Sequence, residues 1–526
     1  MKIMFMKIDT LKINEIIYFI FSFIFFVIIS TYIVLYFDIN RHWTHNLDQE
    51  FTLTYNALLF NNGITQEYLD HTGYFTILFL SIFIKLSQIF QFIDIYNLRS
   101  ALENENIDSS FQNIILITRI YSGFSVAIWC ISVNLIFYYI SKSKLFSFFL
   151  TLIIFSFPGT IFHISQLRTE LFASFFMILS FVMMVNFLDA KNENHYIKKI
   201  SIFFIFIFCA ILNKSQVFLF IFGLILLSLY FYNSLKKIDF KFIDTNFLER
   251  LNYKKQLIIL YFIISIYVLF KLSIYNGYYS SFFFLILNLG ILNIIFYYLA
   301  KKSNLDPIKF IFNINIILVI SFIILKMILF MHPSTTEKAF ISTIINIMGI
   351  TVYSEVNSLG DEQGIIMLIN FTFLKLKEVF LYYFKDINIF SILIVTILIV
   401  SIIFKRKIGN KLFFFNLTCI LVPIAFTFIS SFRAINIYYH IFWDFIFLLP
   451  FCIFFKKLKF KINFILTISI LALILFLNFK NSSMTNIHGN SKEKLCEDLE
   501  KNENSYLLYW HKKIPKEKFI IFCNYQ

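Results

Sequence analysis

Apolar runs close to twenty residues long recur from one end of this chain to the other. Each is long enough to cross roughly 30 Å of hydrocarbon. Within lipid a backbone must satisfy its own hydrogen bonds, so such runs are helices. They are continuous rather than alternating, which excludes a β-barrel. With 59% hydrophobic and only 15% charged residues among 526, a soluble globular class is excluded as well. The expected fold is an all-α polytopic membrane protein.

About thirteen spans are expected by length and hydropathy, at 16–37, 118–140, 145–161, 168–188, 198–212, 217–233, 256–275, 281–300, 310–331, 389–404, 411–431, 439–455 and 462–478. The first run is too long for the apolar region of a cleaved signal and lacks a small-residue cleavage site. Basic residues gather in alternate loops: Lys142 and Lys144, Lys191 to Lys199, Lys236 to Lys255, Lys301 to Lys309, Lys405 to Lys411, and Lys456 to Lys461. The positive-inside rule makes these loops cytoplasmic. The N-terminus is then inside and the tail after Asn478 outside. The net charge of +15 follows from this loop bias and points to no nucleic-acid partner.

Tyr74–Phe92 is apolar enough to span, but a crossing there would reverse every later basic loop. It is expected to lie in the outer interface or to dip in and return. Gly364–Phe384, interrupted by Lys375, Lys377 and Glu378, is read the same way. The outer loop 38–117 is therefore long. Phe51, Tyr55, Leu58 and Leu59 form a helical stripe in it and predict an amphipathic surface helix over 50–60. A second long outer segment covers 332–388. Residues 1–478 form one membrane domain and 479–526 a small outer tail. Cys130, Cys209, Cys419 and Cys452 lie in apolar runs as small buried hydrophobes. Cys496 and Cys523 lie in the tail, where an oxidising compartment favours a disulfide.

The segment from Asn46 to Tyr74, NLDQEFTLTYNALLFNNGITQEYLDHTGY, is a polar island between apolar runs. It supplies Asp48, Glu50 and His71. Other outer helix ends supply Arg119, Arg168, Glu170, Lys214, Arg433, Tyr438 and His440. Carboxylates and cations at one membrane level suit sugar transfer from a lipid phosphate. A base (Asp48 or Glu50) takes the proton of the acceptor hydroxyl. Cations (Arg119, Arg168, Lys214 and Arg433) stabilise the departing phosphate. Plainer readings stand beside these. Asp48 is also placed to cap the following helix, Arg119 and Arg168 to snorkel from helix ends, and Tyr438 to join an aromatic belt.

The order of these features resembles the GT-C superfamily of membrane glycosyltransferases, especially enzymes similar to the lipid A aminoarabinose transferase and the protein O-mannosyltransferases. LDQEFTLTYNALLFNNG stands where the family has an acidic motif and a Tyr-containing helix. YLDHTGYFTILFL, with His71 and Tyr74, stands at its histidine turn and in-plane helix. ITRIYSGFSVAIW, FSFPGTIFHISQLRTELFASFF and ILNKSQ follow in the family's order. The acidic pair here is split by Gln49, and prolines usual after the histidine are absent. The resemblance implies an inverting transferase of the bacterial inner membrane that acts on its periplasmic side. The donor would be a polyprenyl-phosphate hexose or pentose, and the acceptor a cell-envelope glycolipid, polysaccharide or protein. Some relatives use Mg²⁺ or Mn²⁺, for which Asp48, Glu50 and Glu170 would be oxygen ligands. Other readings are a polysaccharide polymerase or ligase, and a transporter or lipid flippase. The latter calls for broken helices and inverted repeats, which the chain does not plainly show.

Overall fold

The computed structural model describes residues 13–39, 41–43, 50–64, 66, 73–103, 107–188, 193–214, 307–329, 364–384, 389–431 and 437–458, with a few isolated positions between 217 and 297. Every regular element among them is helical. Five described helices are long and apolar enough to cross a membrane: Ile13–Asp38, Ser109–Ser141, Thr169–Asn186, Phe310–Met327 and Leu412–Ser431. Two bent helix pairs raise that to as many as seven. The chain is a membrane protein by this measure. The expected spans at 256–275 and 462–478, the tail with Cys496 and Cys523, and most of 217–233 and 281–300 lie outside the described residues. The four described cysteines are buried thiols.

Helix α1 (Ile13–Ile33) continues into a π-helical turn, Val34–Asp38. It packs against α5 (Ile107–Ser141). Small residues set their closest approach. A Cβ on Gly123 would stand 3.0 Å from the Ser30 Cβ, which is how helices approach in lipid without a hydrophobic driving force. Polar side chains tie the other end of this pair, where the Tyr18 hydroxyl donates to Asn134 Oδ1 at 2.9 Å and to the Lys144 carbonyl at 2.8 Å.

Helix α6 (Lys144–Phe155) is capped by the Ser143 side chain, which accepts from the Phe146 N–H. It breaks by 70° into α7 (Pro158–Ser165). A continuous span over 145–161 would carry Pro158 inside one helix. Proline instead sits in the first turn of a new helix, where its missing N–H costs nothing. Helices α8 (Thr169–Leu188) and α9 (Glu193–Asn213) form the most extensively packed pair. Further on come α10 (Pro307–Leu329), α11 (Gly364–Phe384), α12 (Ile389–Ile403) and α13 (Lys405–Ser431), the last broken at Gly409. Two 3-10 segments, Ile437–Phe442 and Asp444–Leu448, lead into α14 (Leu449–Leu458). A relay of hydrogen bonds from Trp129 Nε1 to Ser174 Oγ (2.9 Å) and on to the Ile441 carbonyl (2.7 Å) fastens this C-terminal part to α5 and α8.

Two short helices that precede α4 (Leu98–Glu103) differ from the long ones. The helix Thr52–Asn61, α2, was expected to carry one wet face. All its residues from Thr52 to Phe60 are buried. Stripe periodicity reports one packed face only, and the rest is covered by the helix Tyr74–Ile89 and by α5, the latter through Thr54 and Thr118. The helix Tyr74–Ile89, α3, has 16 residues, about 24 Å of rise, short of a full crossing. Its turns touch α9 through Thr76 and Asn213, α8 through Phe79 and Phe172, and α5 through Phe83 and Tyr121. It passes across several helices rather than along one. Its other face exposes Ile82, Leu86 and Ile89.

Candidate functional site

The end of α1 and the start of α2 meet the buried side of α5 in a network of four charged side chains. Glu50, immediately before α2, has no exposed side-chain area. Its Oε1 accepts from Arg41 Nη2 at 3.0 Å, and its Oε2 from Arg119 Nε and Nη2, both at 3.2 Å. Arg41 also lies 3.1 Å from Asp38 Oδ1, one turn earlier. Arg119 spends its remaining donors on backbone: the carbonyls of Asp38 at 3.1 Å, Arg41 at 2.6 Å and His42 at 3.3 Å. Gln112, two turns earlier on α5, accepts from the Trp43 N–H at 2.9 Å and donates to the Arg41 carbonyl. Trp43 stacks on Phe51 and against Phe111. Asp38 on one side of Arg41, and His42 and Trp43 on the other, are thereby pinned to α5.

A second charged cluster opens α8. Glu170, in its first turn, is also without exposed area. Lys214, just past α9, reaches it at 2.8 Å, and Arg168 at 3.3 Å. Asn213 holds α3 against this corner: its carbonyl accepts from the Gly73 N–H at 3.2 Å, and its Oδ1 from the Thr76 N–H at 3.0 Å. Gly73 has a φ of +41°, and a Cβ there would lie 2.5 Å from Thr169 Cγ2. The position therefore requires glycine both by backbone and by space.

The two clusters are joined. Arg41 Nη2 donates to the carbonyl of Ser165, the last residue of α7, three positions before Arg168. Together they hold Asp38, Glu50 and Glu170 against Arg41, Arg119, Arg168 and Lys214. Accessibility divides them. Glu50, Glu170 and Arg119 are fully enclosed, whereas the side chains of Asp38, Arg41, Arg168 and Lys214 keep 6%, 8%, 11% and 9% of their surface. Removing so many charges from water costs several kcal/mol per ion before pairing, so such a group is weakly explained by stability alone.

The structure thus brings Glu50 to Arg119 and, beside them, Arg168, Glu170 and Lys214. It gives Arg119 a different task from direct phosphate contact, because every nitrogen of its guanidinium is engaged. Tyr74 opens α3, buried, its ring edge-on to Phe60 at 5.9 Å. His440 lies in the first 3-10 segment and belongs to a separate pair. Its Nδ1 is 3.1 Å from Asp444 Oδ1, and its ring packs against Tyr382 and Phe390. Tyr438 falls in the same 3-10 segment. Asp48, His71 and Arg433 lie outside the described residues. Asp38 and Arg41 escaped the sequence reading. Their signal was a pair of opposite charges one helical turn apart at the mouth of the first apolar run.

The described carboxylates do not suit a divalent cation. Glu50 faces two guanidiniums, Glu170 a guanidinium and an ammonium, and among the described residues no three His, Cys, Asp or Glu side chains converge. No family model, curated protein or solved structure matches this chain.

Proposed function

We propose that this chain is a GT-C-like glycosyltransferase that moves a sugar from a polyprenyl-phosphate donor to a cell-envelope acceptor. The observation that carries this reading is the layering of charge. The carboxylates Glu50 and Glu170 form an enclosed floor, and Arg41, Arg168 and Lys214 stand at its accessible edge. An approaching ligand meets three cations against one comparably exposed carboxylate, Asp38. Such an edge favours an oxyanion, and favours it more strongly in the transition state, when the glycosyl–phosphate bond breaks and charge collects on the departing phosphate.

In this proposal the cluster lies at the periplasmic face of a bacterial inner membrane, with the N-terminus cytoplasmic and about thirteen spans. Helix α3 lies in the outer interface with its apolar face in lipid. Residues 1–478 form the catalytic part and 479–526 a periplasmic tail. Asp48 is the base that takes the acceptor's proton, because Glu50, two positions on, already accepts from two arginines. Glu50 orders the cationic edge.

The test uses the full chain in lipid nanodiscs with a panel of radiolabelled polyprenyl-phosphate hexoses and pentoses and a cell-envelope lipid extract as acceptor. The reading expects enzyme-dependent release of polyprenyl phosphate from at least one donor, with the label moving to the extract. Intact donor across the whole panel rejects it.

A further inference from the structure

Arg41 is the most unusual cation of the cluster. Its side chain is more than nine-tenths buried, yet its Nε and Nη1 make no hydrogen bond. The ion pair to Asp38 is a matter of distance, 3.1 Å, without hydrogen-bond alignment, and Asp38 Oδ2 is likewise unpartnered. Nη2, by contrast, serves two acceptors, Glu50 and the Ser165 carbonyl. Desolvated donors without acceptors are costly, the more so when charged. A guanidinium in this condition fits an additional acceptor. The backbone around it is already fixed by Arg119 and Gln112, so an incoming ligand need reorient only the side chain.

We propose that Arg41 is a phosphate ligand which trades its contact with Glu50 for a phosphate oxygen of the incoming lipid. This rests on the proposed function for the identity of the lipid, and on the geometry alone for the exchange. When Arg41 turns to phosphate, Glu50 Oε1 is left with only a 3.4 Å contact from Arg119 Nε, while Oε2 stays bound to Arg119. The free structure is thus the resting state of an exchange. Glu50 holds Arg41 in place until a dianionic or monoanionic phosphate displaces it. Glu50 therefore competes with the ligand although it stands beside it.

Competition has a signature that a merely structural ion pair lacks: the two partners' variants move affinity in opposite directions. The experiment measures binding of polyprenyl phosphate without sugar, of the corresponding polyprenol, and of inorganic phosphate to the full chain in nanodiscs. Arg41→Gln should weaken polyprenyl phosphate binding at least tenfold. Glu50→Asp, which withdraws the carboxylate by one methylene yet keeps a charge for Arg119, should tighten it several-fold. Polyprenol should bind equally to all three proteins. Inorganic phosphate binding with the same pattern would identify the phosphate itself as the recognised group; binding of the lipid form alone would show that the chain contributes. Weakening by both variants, no change with Arg41→Gln in a protein that retains its unfolding midpoint, or no phosphate binding by the native chain would each overturn the exchange. Opposite shifts without sugar transfer would sink the transferase reading and leave the exchange standing. Sugar transfer with unaltered phosphate affinity in Arg41→Gln would do the reverse.

Discussion

The two charged clusters each set one enclosed glutamate against two cations and differ in what surrounds them. Around Glu50, one arginine is completely enclosed and holds three backbone carbonyls as well as a carboxylate. Around Glu170, both cations arrive from chain ends, Arg168 just before α8 and Lys214 just after α9, and both keep some exposure. The first arrangement fixes a loop; the second leaves charge available. Arg41 belongs by position to the first and by accessibility to the second, which is why it joins the two.

Several measurements would break or sharpen that division. The largest effect is expected from Asp48→Asn, which should lower transfer by about 10²–10⁴-fold with folding and membrane insertion intact. Near-normal turnover in that variant would return the base to Glu50 or to neither. Arg119→Leu should act on folding. It leaves Glu50 with only Arg41 and uncaps three carbonyls, a loss of about 3–5 kcal/mol. In detergent it should run as aggregate or unfold at far lower temperature, and a normal melting curve would mean the enclosed cluster is not the fixed one. Gly73→Ala should cost roughly 1–3 kcal/mol through overpacking against Thr169 and a strained backbone, seen as a lower midpoint of thermal unfolding. An unchanged midpoint would show that the corner yields. The smallest stability effect is expected from Lys214→Met. Glu170 keeps Arg168, so the midpoint should fall by only a few degrees while donor turnover falls about tenfold. A stability loss as large as that of Arg119→Leu would erase the contrast between the clusters.

The long apolar runs made the architecture legible. Helices near 16–37, 168–188, 198–212, 310–331 and 389–404 stand close to their expected places. Hydropathy stops where a helix leaves the apolar window, which is why α5 was expected at 118 and starts at Ile107 with a polar turn. The 70° break at Pro158 is invisible to hydropathy, which runs on through the expected span 145–161. The site was legible in kind and less so in role. Glu50, Arg119, Arg168, Glu170 and Lys214 were all singled out. No sequence pattern discloses that Arg119 would spend its donors on carbonyls some eighty positions earlier. An arginine at a helix mouth ordinarily snorkels to water, whereas Arg41 is held by the Ser165 carbonyl at the end of α7 and its own carbonyl by Arg119 of α5.

The span between Glu50 and Arg119 also has a meaning in time. The carboxylate and the loop carbonyls leave the ribosome first, and the guanidinium that satisfies them follows 69 residues later. At ordinary synthesis rates that is a delay of about 4–14 s. Until then Glu50 has no enclosed partner on α5 and must stay hydrated, so α2 cannot take up its buried position. Arrival of α5 delivers the countercharge and the covering surface together. The burial of α2 is thus scheduled by the insertion of α5, and a lesion at Arg119 would act during biogenesis as well as on the finished protein.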